Sequence, residues 1–560
     1  MRPLWSSKIP RSPLMDFDFD SALIEVGDFG RYQIWLFFLI CLPASLPSAW
    51  SAFNQPFVVA SPAHHCRLTA DEENRTMSLP LRSCFQYNSS TEATMVPCQN
   101  GWVYDRSTYK ETIVTEFDLV CDRKYWVELT TTAFYTGSFV GNFLFGHIAD
   151  KFGRRVAFFI ILSTLVVTGT LCSFAQNVGQ FFVLRFFTGL PFPALFQVPF
   201  IISMEFMGKS GRIFSGIVIS IFFGSAMAIL GIVASFIREW RLLTLLCNAP
   251  YAILFSYYFF LPESARWLVS VRKFDDAKKI MTKMAKTNRK TVNVNELMAK
   301  LRSCPRASSQ EEENNQHNVF DLFKTPNLRK KTLIITYVWL VNAIVYNGLT
   351  LNVSNLPVND YLSFTINGAV ELPAYFIVWP LLDRIGRRWP ICMAMLIGGA
   401  ACICTLFVPS NYGWMVAGLA FLGKFGIAGS FAVIYIFAGE LYPTVVRAVG
   451  MGMSSMVAGS GLILGPYLIR LGEYVRILPL LIMGILTVSA GIASMFLPET
   501  LGIDLPQTIA EAEEFGKGFC PGHCFDRRRT SAGVHELNSV ETNSLITMAK
   551  CDNNGDAVPV

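Results

Sequence analysis

The stretch that decides the fold runs Gly146-His-Ile-Ala-Asp-Lys-Phe-Gly-Arg-Arg155 and joins two apolar runs. A shortened copy, Asp383-Arg-Ile-Gly-Arg-Arg388, begins 233 residues after Asp150 and also joins two apolar runs. A motif that returns in the same setting indicates an internal repeat. The chain is therefore predicted to contain two related halves.

Two further pairs of charged motifs repeat at nearly the same offset. Glu205-Phe-Met-Gly-Lys-Ser-Gly-Arg212 is matched by Glu440-Leu-Tyr-Pro-Thr-Val-Val-Arg447 after 235 residues, and Pro262-Glu-Ser264 by Pro498-Glu-Thr500 after 236 residues. Three independent matches within three residues of one offset are hard to obtain by chance. The repeat therefore extends over both halves.

Twelve apolar runs surround these motifs. Each has roughly 20 residues, the length that an α-helix needs to cross about 30 Å of hydrocarbon. The runs are residues 32–53, 125–148, 156–175, 181–204, 213–236, 242–261, 332–351, 361–382, 389–408, 412–438, 448–469 and 477–497. The predicted fold class is an all-α membrane protein with twelve transmembrane helices in two pseudo-symmetric six-helix halves.

The composition excludes several classes of function. Of the 560 residues, 52% are hydrophobic and 16% are charged, whereas soluble domains carry about 25% charged residues. Nucleic acid is not an expected partner, because Lys and Arg fall in particular loops and largely avoid the apolar runs. The sequence has no ATP-binding Gly-x-x-x-x-Gly-Lys-Ser/Thr loop, and its six His show no metal-ligand spacing. We predict no enzyme activity, no catalytic residue, no metal and no cofactor.

The positive charges predict the orientation in the membrane. With the N-terminus inside, the cytoplasmic connections hold 34 Lys and Arg, and the opposite side holds 11. Positive charge is retained on the cytoplasmic side during insertion. Both termini are therefore expected to be cytoplasmic.

The apolar runs divide the chain into five segments. These are a cytoplasmic N-terminal segment (1–31), an N-terminal six-helix bundle (32–261) that includes an extracellular loop (54–124), a cytoplasmic linker loop (262–331), a C-terminal six-helix bundle (332–497) and a disordered cytoplasmic tail (498–560).

The extracellular loop combines four cysteines with two glycosylation acceptor patterns. Cys66, Cys84, Cys98 and Cys121 suit an oxidising compartment, where they would form two disulfides in any of three connectivities. The alternative is a loop with free thiols. Asn74 and Asn88 begin the two Asn-x-Ser/Thr patterns.

The repeated motifs place carboxylates and arginines at the cytoplasmic ends of the helices. Ion pairs between them could hold a gate in one of two states. The alternative is that these residues only anchor loops at the lipid headgroups. Repetition of the whole set favours gating. The predicted gating residues are Asp150, Arg154, Glu205, Arg212, Glu263, Asp383, Arg387, Glu440, Arg447 and Glu499.

These motifs resemble the major facilitator superfamily, whose connection between helices two and three reads like residues 146–155. More narrowly, the chain resembles the organic cation, carnitine and organic anion carriers of solute carrier family 22. The resemblance covers nearly the whole chain. Its motifs are Gly30-Arg-Tyr-Gln33, Cys121-Asp122, Phe236-Ile-Arg-Glu-Trp-Arg241, Pro262-Glu-Ser-Ala-Arg-Trp-Leu268, Gly439-Glu-Leu-Tyr-Pro-Thr-Val-Val-Arg447 and Leu497-Pro-Glu-Thr-Leu-Gly502. The resemblance implies a plasma-membrane carrier of small organic solutes.

Three charged residues stand out inside the predicted helices. Because a charge at the centre of a membrane helix costs about 2.5–3.5 kcal/mol on insertion scales, each is a candidate functional residue. Glu371 on helix eight would attract an ammonium group, and in the resembling carriers the matching glutamate lines the pocket. Arg185 and Lys424 on helices four and ten could meet a carboxylate. The alternative is that Glu371 pairs with Arg185 or Lys424 only to cancel charge.

Four aromatic residues complete the predicted substrate site. Trp339 and Tyr346 on helix seven are two turns apart, and Phe431 and Tyr435 on helix ten are one turn apart. Aromatic rings can bind quaternary ammonium groups by cation–π attraction. By resemblance these positions line the pocket, although any one of 46 Phe could equally face lipid or the core.

One departure from the family pattern bears on the substrate. Helix eleven of the resembling carriers usually carries a charge, where this chain has Gly459. Glu371 is then the main negative charge of the cavity, which favours cationic or zwitterionic amines such as carnitine. The expected partners are such a substrate and the lipid bilayer, with Na⁺ or H⁺ left open as a coupling ion. The rival readings are an organic anion carrier and a transport-inactive receptor or adaptor.

Overall fold

A computed structural model describes residues 19–67, 83–88, 91–303, 319–356, 358–409, 411–443, 445–475, 477–502, 506 and 508–516. All of them belong to one compact unit, residues 1–517. Several predictions lie outside the described residues: the acceptor Asn74, most of the N-terminal segment and the tail after residue 516. The side chain of the second acceptor, Asn88, is outside them too.

Twelve long helices form the described part of the chain. Ten are long and apolar enough to cross a membrane; the 28-residue helix α2 and the shorter apolar helix α12 are the other two. The helices are α1 (Arg31–Val58), α2 (Tyr125–Phe152), α3 (Arg154–Cys172), α4 (Val178–Phe206), α5 (Lys209–Phe236), α6 (Trp240–Phe259), α7 (Pro326–Asn355), α8 (Asp360–Arg384), α9 (Arg388–Phe407), α10 (Gly413–Leu441), α11 (Arg447–Arg470) and α12 (Leu478–Ser494). Each predicted apolar run overlaps one of them.

Helices α1–α6 form one half and α7–α12 the other. The halves pack together where α5 lies along α8 and α2 lies along α11. Small residues allow the first contact: a Cβ on Gly368 of α8 would come within 2.6 Å of the backbone nitrogen of Ala228 on α5. Such close helix approach is typical of membrane bundles, where packing replaces the hydrophobic effect as the cause of association.

Four short strands lie between α1 and α2 and form two antiparallel pairs. Strand β1 (His64–Cys66) pairs with β4 (Trp102–Tyr104), and β2 (Phe85–Asn88) pairs with β3 (Thr91–Pro97). We call the end of the bundle that carries these strands the strand end, and the opposite end, at which α6 ends and α7 begins, the linker end.

Two disulfides stabilise the segment that holds the strands. Cys66 is bonded to Cys98, and Cys84 to Cys121. This is one of the three connectivities that the sequence left open. His64 lies close to the sulfurs of Cys84 and Cys121, but sulfurs that are joined in a disulfide are not thiolate ligands for a metal.

Short helices cover the linker end. They are Phe19–Val26, Ala265–Ser270, Phe274–Thr287, Val294–Ser303, Asp321–Lys324 and Ile509–Glu514. Two further short helices, Ile113–Glu116 and Cys121–Arg123, lie at the strand end. The linker helices bury apolar side chains such as Met281 and Leu297 in the core of the first half.

Residues that follow α12 in the chain are hydrogen-bonded to the start of α7. The carboxylate of Glu513 accepts hydrogen bonds from the backbone nitrogens of Asn327 and Leu328, at 2.9 and 3.0 Å, in the first turn of α7. An anion at this position also interacts favourably with the helix dipole. The ammonium group of Lys331 donates to the carbonyl oxygens of Ala512 and Phe515.

Helices α2 and α4 approach each other through glycine. A Cβ on Gly141 would overlap the carbonyl oxygen of Leu190, whereas one on Gly146, further along the same helix, would meet no atom within 4 Å. The two glycines therefore form a matched pair for testing the contact.

We expect Gly141→Ala to destabilise the protein by about 1–3 kcal/mol, the usual cost of overpacking. Gly146→Ala should leave stability unchanged or raise it slightly, because Ala favours the helix. Thermal unfolding of the purified protein in detergent compares the two. Equal unfolding temperatures for the two variants would contradict the close approach of α2 and α4.

Candidate functional site

The backbone of α8 is interrupted beside its buried carboxylate. The helix consists of two segments, Asp360–Ala369 and Glu371–Arg384, with Val370 between them. Pro373 lacks the N–H that would bond to the carbonyl oxygen of Ala369, which explains the break. Glu371 is thereby placed in the first turn of the second segment, where a negative charge is favoured.

Glu371 forms an ion pair with Lys424 in the interior of the bundle. The Nζ atom of Lys424 lies 3.0 Å from Oε1 of Glu371, and both side chains are completely buried. The hydroxyl of Tyr375 donates a hydrogen bond of 2.9 Å to Oε2 of Glu371. Of the two partners for Glu371 that the sequence left open, the structure has Lys424.

Lys424 lies on α10, which packs along α7, α8 and α9. A Cβ on its neighbour Gly423 would overlap the sulfur of Cys402 on α9. The ammonium group donates a hydrogen bond of 2.8 Å to the hydroxyl of Thr350 and lies 3.1 Å from the ring centroid of Tyr346. Helices α7, α8 and α10 therefore meet at one buried charge pair.

The four predicted aromatic residues form a continuous row beside this pair. The ring centroids of Trp339 and Tyr435 are 4.5 Å apart, those of Tyr435 and Phe431 6.0 Å, and those of Phe431 and Tyr346 5.4 Å. We call these four residues the aromatic row. Because Tyr346 also contacts Lys424, the row and the ion pair form one site.

The first half supplies the opposite wall of this site. A Cβ on Gly224 of α5 would lie 3.2 Å from Cβ of Glu371 and 3.3 Å from its Oε2 atom. The ring of Phe53 on α1 lies 6.2 Å from that of Tyr346. The charge pair therefore lies at the boundary between the halves, where carriers of two rocking repeats bind their substrates.

Arg185 does not join this pair. Its guanidinium lies over the rings of Phe181 and Phe134, at 5.2 and 5.7 Å from their centroids. Among the residues that the structure describes, Arg185 forms no ion pair, although its side chain is buried. The predicted substrate-site residues are thus brought together except for Arg185.

Four of the five predicted gating residues of the first half form one cluster at the linker end. Arg154 lies 3.2 Å from Glu205 and 3.3 Å from Asp150. The carboxylate of Glu263 accepts hydrogen bonds from the backbone nitrogens of Arg154 and Arg155, at 2.8 and 3.2 Å, and so caps α3.

The second half repeats this cluster. Arg387 lies 3.0 Å from Glu440, and Glu499 accepts hydrogen bonds from the backbone nitrogens of Arg387 and Arg388 at 2.8 and 3.1 Å. Gly386 precedes them with φ +106°, as Gly153 does with φ +99° in the first half. These positive φ angles favour glycine.

Three gating residues depart from the symmetric pattern. Arg212 lies 2.7 Å from Asp20 of the N-terminal helix, which also pairs with Arg266. Arg447 donates to the carbonyl oxygen of Tyr442. In the described part of the chain Asp383 is in no ion pair, unlike its counterpart Asp150.

Polar contacts join the two halves at the strand end. The hydroxyl of Tyr109 donates a hydrogen bond of 2.6 Å to Oδ2 of Asp360, and that of Tyr361 donates one of 3.2 Å to the carbonyl oxygen of Thr108. Burial, followed by the charge of Asp360, raises the pKa of Tyr109 far above its ordinary value. The Tyr109 hydroxyl therefore keeps its proton at neutral pH.

Sequence reasoning missed Tyr375, Thr350 and Tyr109. Tyr375 follows Glu371 by four residues, and Thr350 follows Tyr346 by four, so helical spacing would have placed each on the same face as a residue already chosen. The contact of Tyr109 with Asp360 joins residues 251 positions apart, and no local pattern indicates it.

The site presents a carboxylate and an ammonium group together. An incoming ammonium group can replace Lys424 at Glu371, and an incoming carboxylate can replace Glu371 at Lys424. Each replacement keeps a buried charge paired, which matters because an unpaired buried charge is strongly unfavourable. The neighbouring rings would bind a quaternary ammonium group by cation–π attraction.

Comparison with known proteins shows that the chain is similar to transporters along most of its length. The model of the family described as "Sugar (and other) transporter" matches residues 76–510. The chain is 59% identical to "Organic cation transporter 1" of Caenorhabditis elegans, over 91% of each protein. It is 37% identical to "Beta-alanine transporter" of Drosophila melanogaster, over 91% of the chain and 92% of the relative. It is 32% identical to "Organic cation/carnitine transporter 2" of Homo sapiens, over 88% and 93%.

The fold is also that of a solved structure. The inward-open xylose transporter XylE from E. coli superposes with a TM-score of 0.57 at 14% identity, covering 86% of this chain and 99% of that one. At this identity the similarity concerns the fold alone.

The buried pair predicts a strong energetic coupling. Glu371→Gln or Lys424→Gln alone leaves one unpaired buried charge and should destabilise the protein by about 3–5 kcal/mol. The double variant should recover a large part of that loss. A double-mutant cycle of thermal unfolding in detergent measures the coupling.

The matched control is the exposed pair of Lys110 and Glu239, whose charged atoms lie 3.4 Å apart. Exposed pairs are typically worth about 0–1 kcal/mol. A cycle at Lys110 and Glu239 should therefore show little coupling. If the two cycles gave the same coupling, the description of Glu371 and Lys424 as a buried ion pair would be wrong.

Proposed function

The chain belongs to the sugar (and other) transporter family of the major facilitator superfamily, within solute carrier family 22, and from this premise we propose that it carries small organic cations or zwitterions across the plasma membrane. It is a multi-pass membrane transporter. The finer parts of the proposal are the substrate class, which includes carnitine-like amines, and transport by alternating access.

The observation that carries the proposal is the ion pair of Glu371 and Lys424 beside the aromatic row. A site for an anion needs only the cation, and a site for a sugar needs neither charge. The ammonium group of Lys424 is contacted by the carboxylate of Glu371 and by the ring of Tyr346, and a cationic amine that took its place would meet the same two groups. The names of the organic cation, beta-alanine and carnitine relatives are compatible with this substrate class.

The charge of the substrate decides how transport is driven. Moving one positive charge through 100 mV is worth about 2.3 kcal/mol, so the membrane potential alone would accumulate a cation. A zwitterion gains nothing from the potential and needs a coupling ion, Na⁺ or H⁺, to accumulate. Ion dependence measured separately for a cation and a zwitterion separates these cases.

Alternating access needs a closure at each end of the bundle. At the strand end, Tyr109–Asp360 and Tyr361–Thr108 join the halves. At the linker end, the clusters around Arg154 and Arg387 each lie within one half. We propose that they keep each set of helix ends rigid while the halves rock about the central site.

The proposed orientation places both termini and the linker end in the cytoplasm. The strand end with its two disulfides then lies outside, which suits an oxidising compartment. Glycosylation at Asn74 and Asn88 is part of the same proposal. The rival substrate class is organic anions, for which Lys424 would be the binding group. A receptor or adaptor that does not transport is the other rival.

Uptake into proteoliposomes tests the substrate class. We expect radiolabelled tetraethylammonium, carnitine or both to enter, and benzoate to remain outside. Glu371→Gln should reduce cation uptake at least about tenfold, because loss of one charge-assisted contact is worth about 1.5–3 kcal/mol. The conservative variant Glu371→Asp should retain part of the activity.

Glu239→Gln is the matched control, since this glutamate is partly exposed at the strand end and far in sequence from the site. It should transport like the unaltered protein. Uptake of benzoate alone, or cation uptake that survives in Glu371→Gln, would reject the proposed site. No uptake of any solute under any imposed gradient would favour the hypothesis that the protein is a receptor or adaptor that does not transport.

The strand-end contacts predict an effect on accessibility. Tyr109→Phe removes the hydrogen bond to Asp360 and should open that end more often. A cysteine in place of Phe364, which is completely buried in this conformation, should then react faster with a membrane-impermeant thiol reagent added outside. We expect an increase of about fivefold or more, as for loss of about 1 kcal/mol of hydrogen bonding.

Tyr104→Phe provides the control in the same Phe364→Cys background. Tyr104 donates to Asp118 within the strand-end segment, without contacting the second half. Its removal should leave the labelling rate unchanged. Equal rates for Tyr109→Phe and the parent protein would exclude the contact with Asp360 as a closure.

A further inference from the structure

Arg185 on α4 is a buried cation that the proposed transport site does not use. Its side chain is 2% exposed, and its Nη2 atom has no hydrogen-bond partner. Lys424 and Arg387, which are also buried, each have a carboxylate at 3.0 Å. Among the described residues, no carboxylate is paired with Arg185.

Among the described residues, the groups that interact with this guanidinium are neutral. The rings of Phe181 and Phe134 lie beside it, and its electrostatic interactions are with the side chains of Tyr135, Cys172 and Cys247. These neighbours leave the positive charge uncompensated. A buried charge is retained at such a place when something else pairs with it.

Hydrogen-bond donors on two other helices lie next to these neighbours. The ring of Phe181, which lies beside Arg185, is 5.4 Å from the ring of Trp240 on α6, and Thr244 lies one helical turn beyond Trp240. Asn54 on α1, whose two amide atoms are buried without a hydrogen-bond partner, directly precedes Gln55. The α1 segment Gln55–Val58 packs on the α6 segment Trp240–Leu246. Both amide atoms of Gln55 and the hydroxyl of Thr244 are buried there without a partner.

We propose that Arg185, Asn54, Gln55 and Thr244 bind one small monovalent inorganic anion, with chloride as the representative. The guanidinium supplies the charge, and the two amides and the hydroxyl supply donors. Aromatic ring edges, which carry partial positive charge, suit a halide as well. This anion site lies in the strand-end part of the first half, apart from Glu371 and Lys424.

The location connects the anion to the boundary between the halves. Tyr135, a neighbour of Arg185, donates a hydrogen bond of 3.2 Å to Oδ1 of Asn347 on α7. Asn347 directly follows Tyr346 of the aromatic row. An anion that fixes Arg185 and Tyr135 would therefore stabilise the contact between α2 and α7.

Thermal unfolding of the full-length protein in detergent tests the proposal without requiring transport. Sodium chloride replaces sodium gluconate stepwise at constant ionic strength, so that chloride itself is the probe. We expect the Tm to rise saturably by about 3 °C or more, since a ligand that binds the folded state stabilises it by mass action. Arg185→Gln should abolish the rise. Arg238→Gln, which removes an exposed arginine at the same end, should retain it.

Two milder variants keep the test decisive if Arg185→Gln does not fold. Asn54→Leu and Thr244→Val remove one donor each while the cation stays, and should raise the half-saturating chloride concentration about threefold or more. The proposal is wrong if the unaltered protein shows no chloride-specific rise, or if these variants respond like it. It is also wrong if carnitine raises the Tm through Arg185 while chloride does not, because Arg185 would then bind the substrate's carboxylate.

Discussion

The structure depends on the cost of placing charge where water is absent. Inside a bundle that spans a membrane, a charged side chain needs a partner of opposite charge. Glu371 and Lys424 satisfy this condition mutually, and a tyrosine hydroxyl, a threonine hydroxyl and a ring make further contacts with them. The same condition allows exchange in the proposed site, since the amine of a substrate can replace the ammonium group of Lys424 at Glu371.

The two halves are alike at the linker end but differ near the middle of the bundle. At the linker end, both halves use the same device, in which a carboxylate caps the helix that follows a left-handed glycine and an arginine pairs with a glutamate. Near the middle, the halves differ: the second contributes the charge pair and the aromatic row, and the first contributes small residues and an arginine with neutral neighbours. Repetition thus preserves the framework, whereas the binding groups come mainly from one copy.

The sequence predicts the framework well because hydrophobic length and motif repetition are local properties. All twelve apolar runs overlap helices, and the predicted family is confirmed. The sequence could also select Glu371 and Lys424, because charge within an apolar run is conspicuous. It could not choose between Lys424 and Arg185 as partner of Glu371, since that choice depends on which helix packs along α8, and in the structure α10 does so. Similarly, pairing of Arg212 with Asp20 requires contact between segments 192 residues apart.

Hydrogen bonds of Glu513 and Lys331 join the residues that follow α12 to the first turns of α7, so the two ends of the second half are bonded to each other. We expect a six-helix unit whose ends are bonded together to resist local unfolding at either end and to move as a rigid body. It also sets a practical boundary for engineering. A fluorescent protein or purification tag fused after residue 516 leaves these hydrogen bonds intact, whereas one that replaces residues 508–516 removes them from the start of α7.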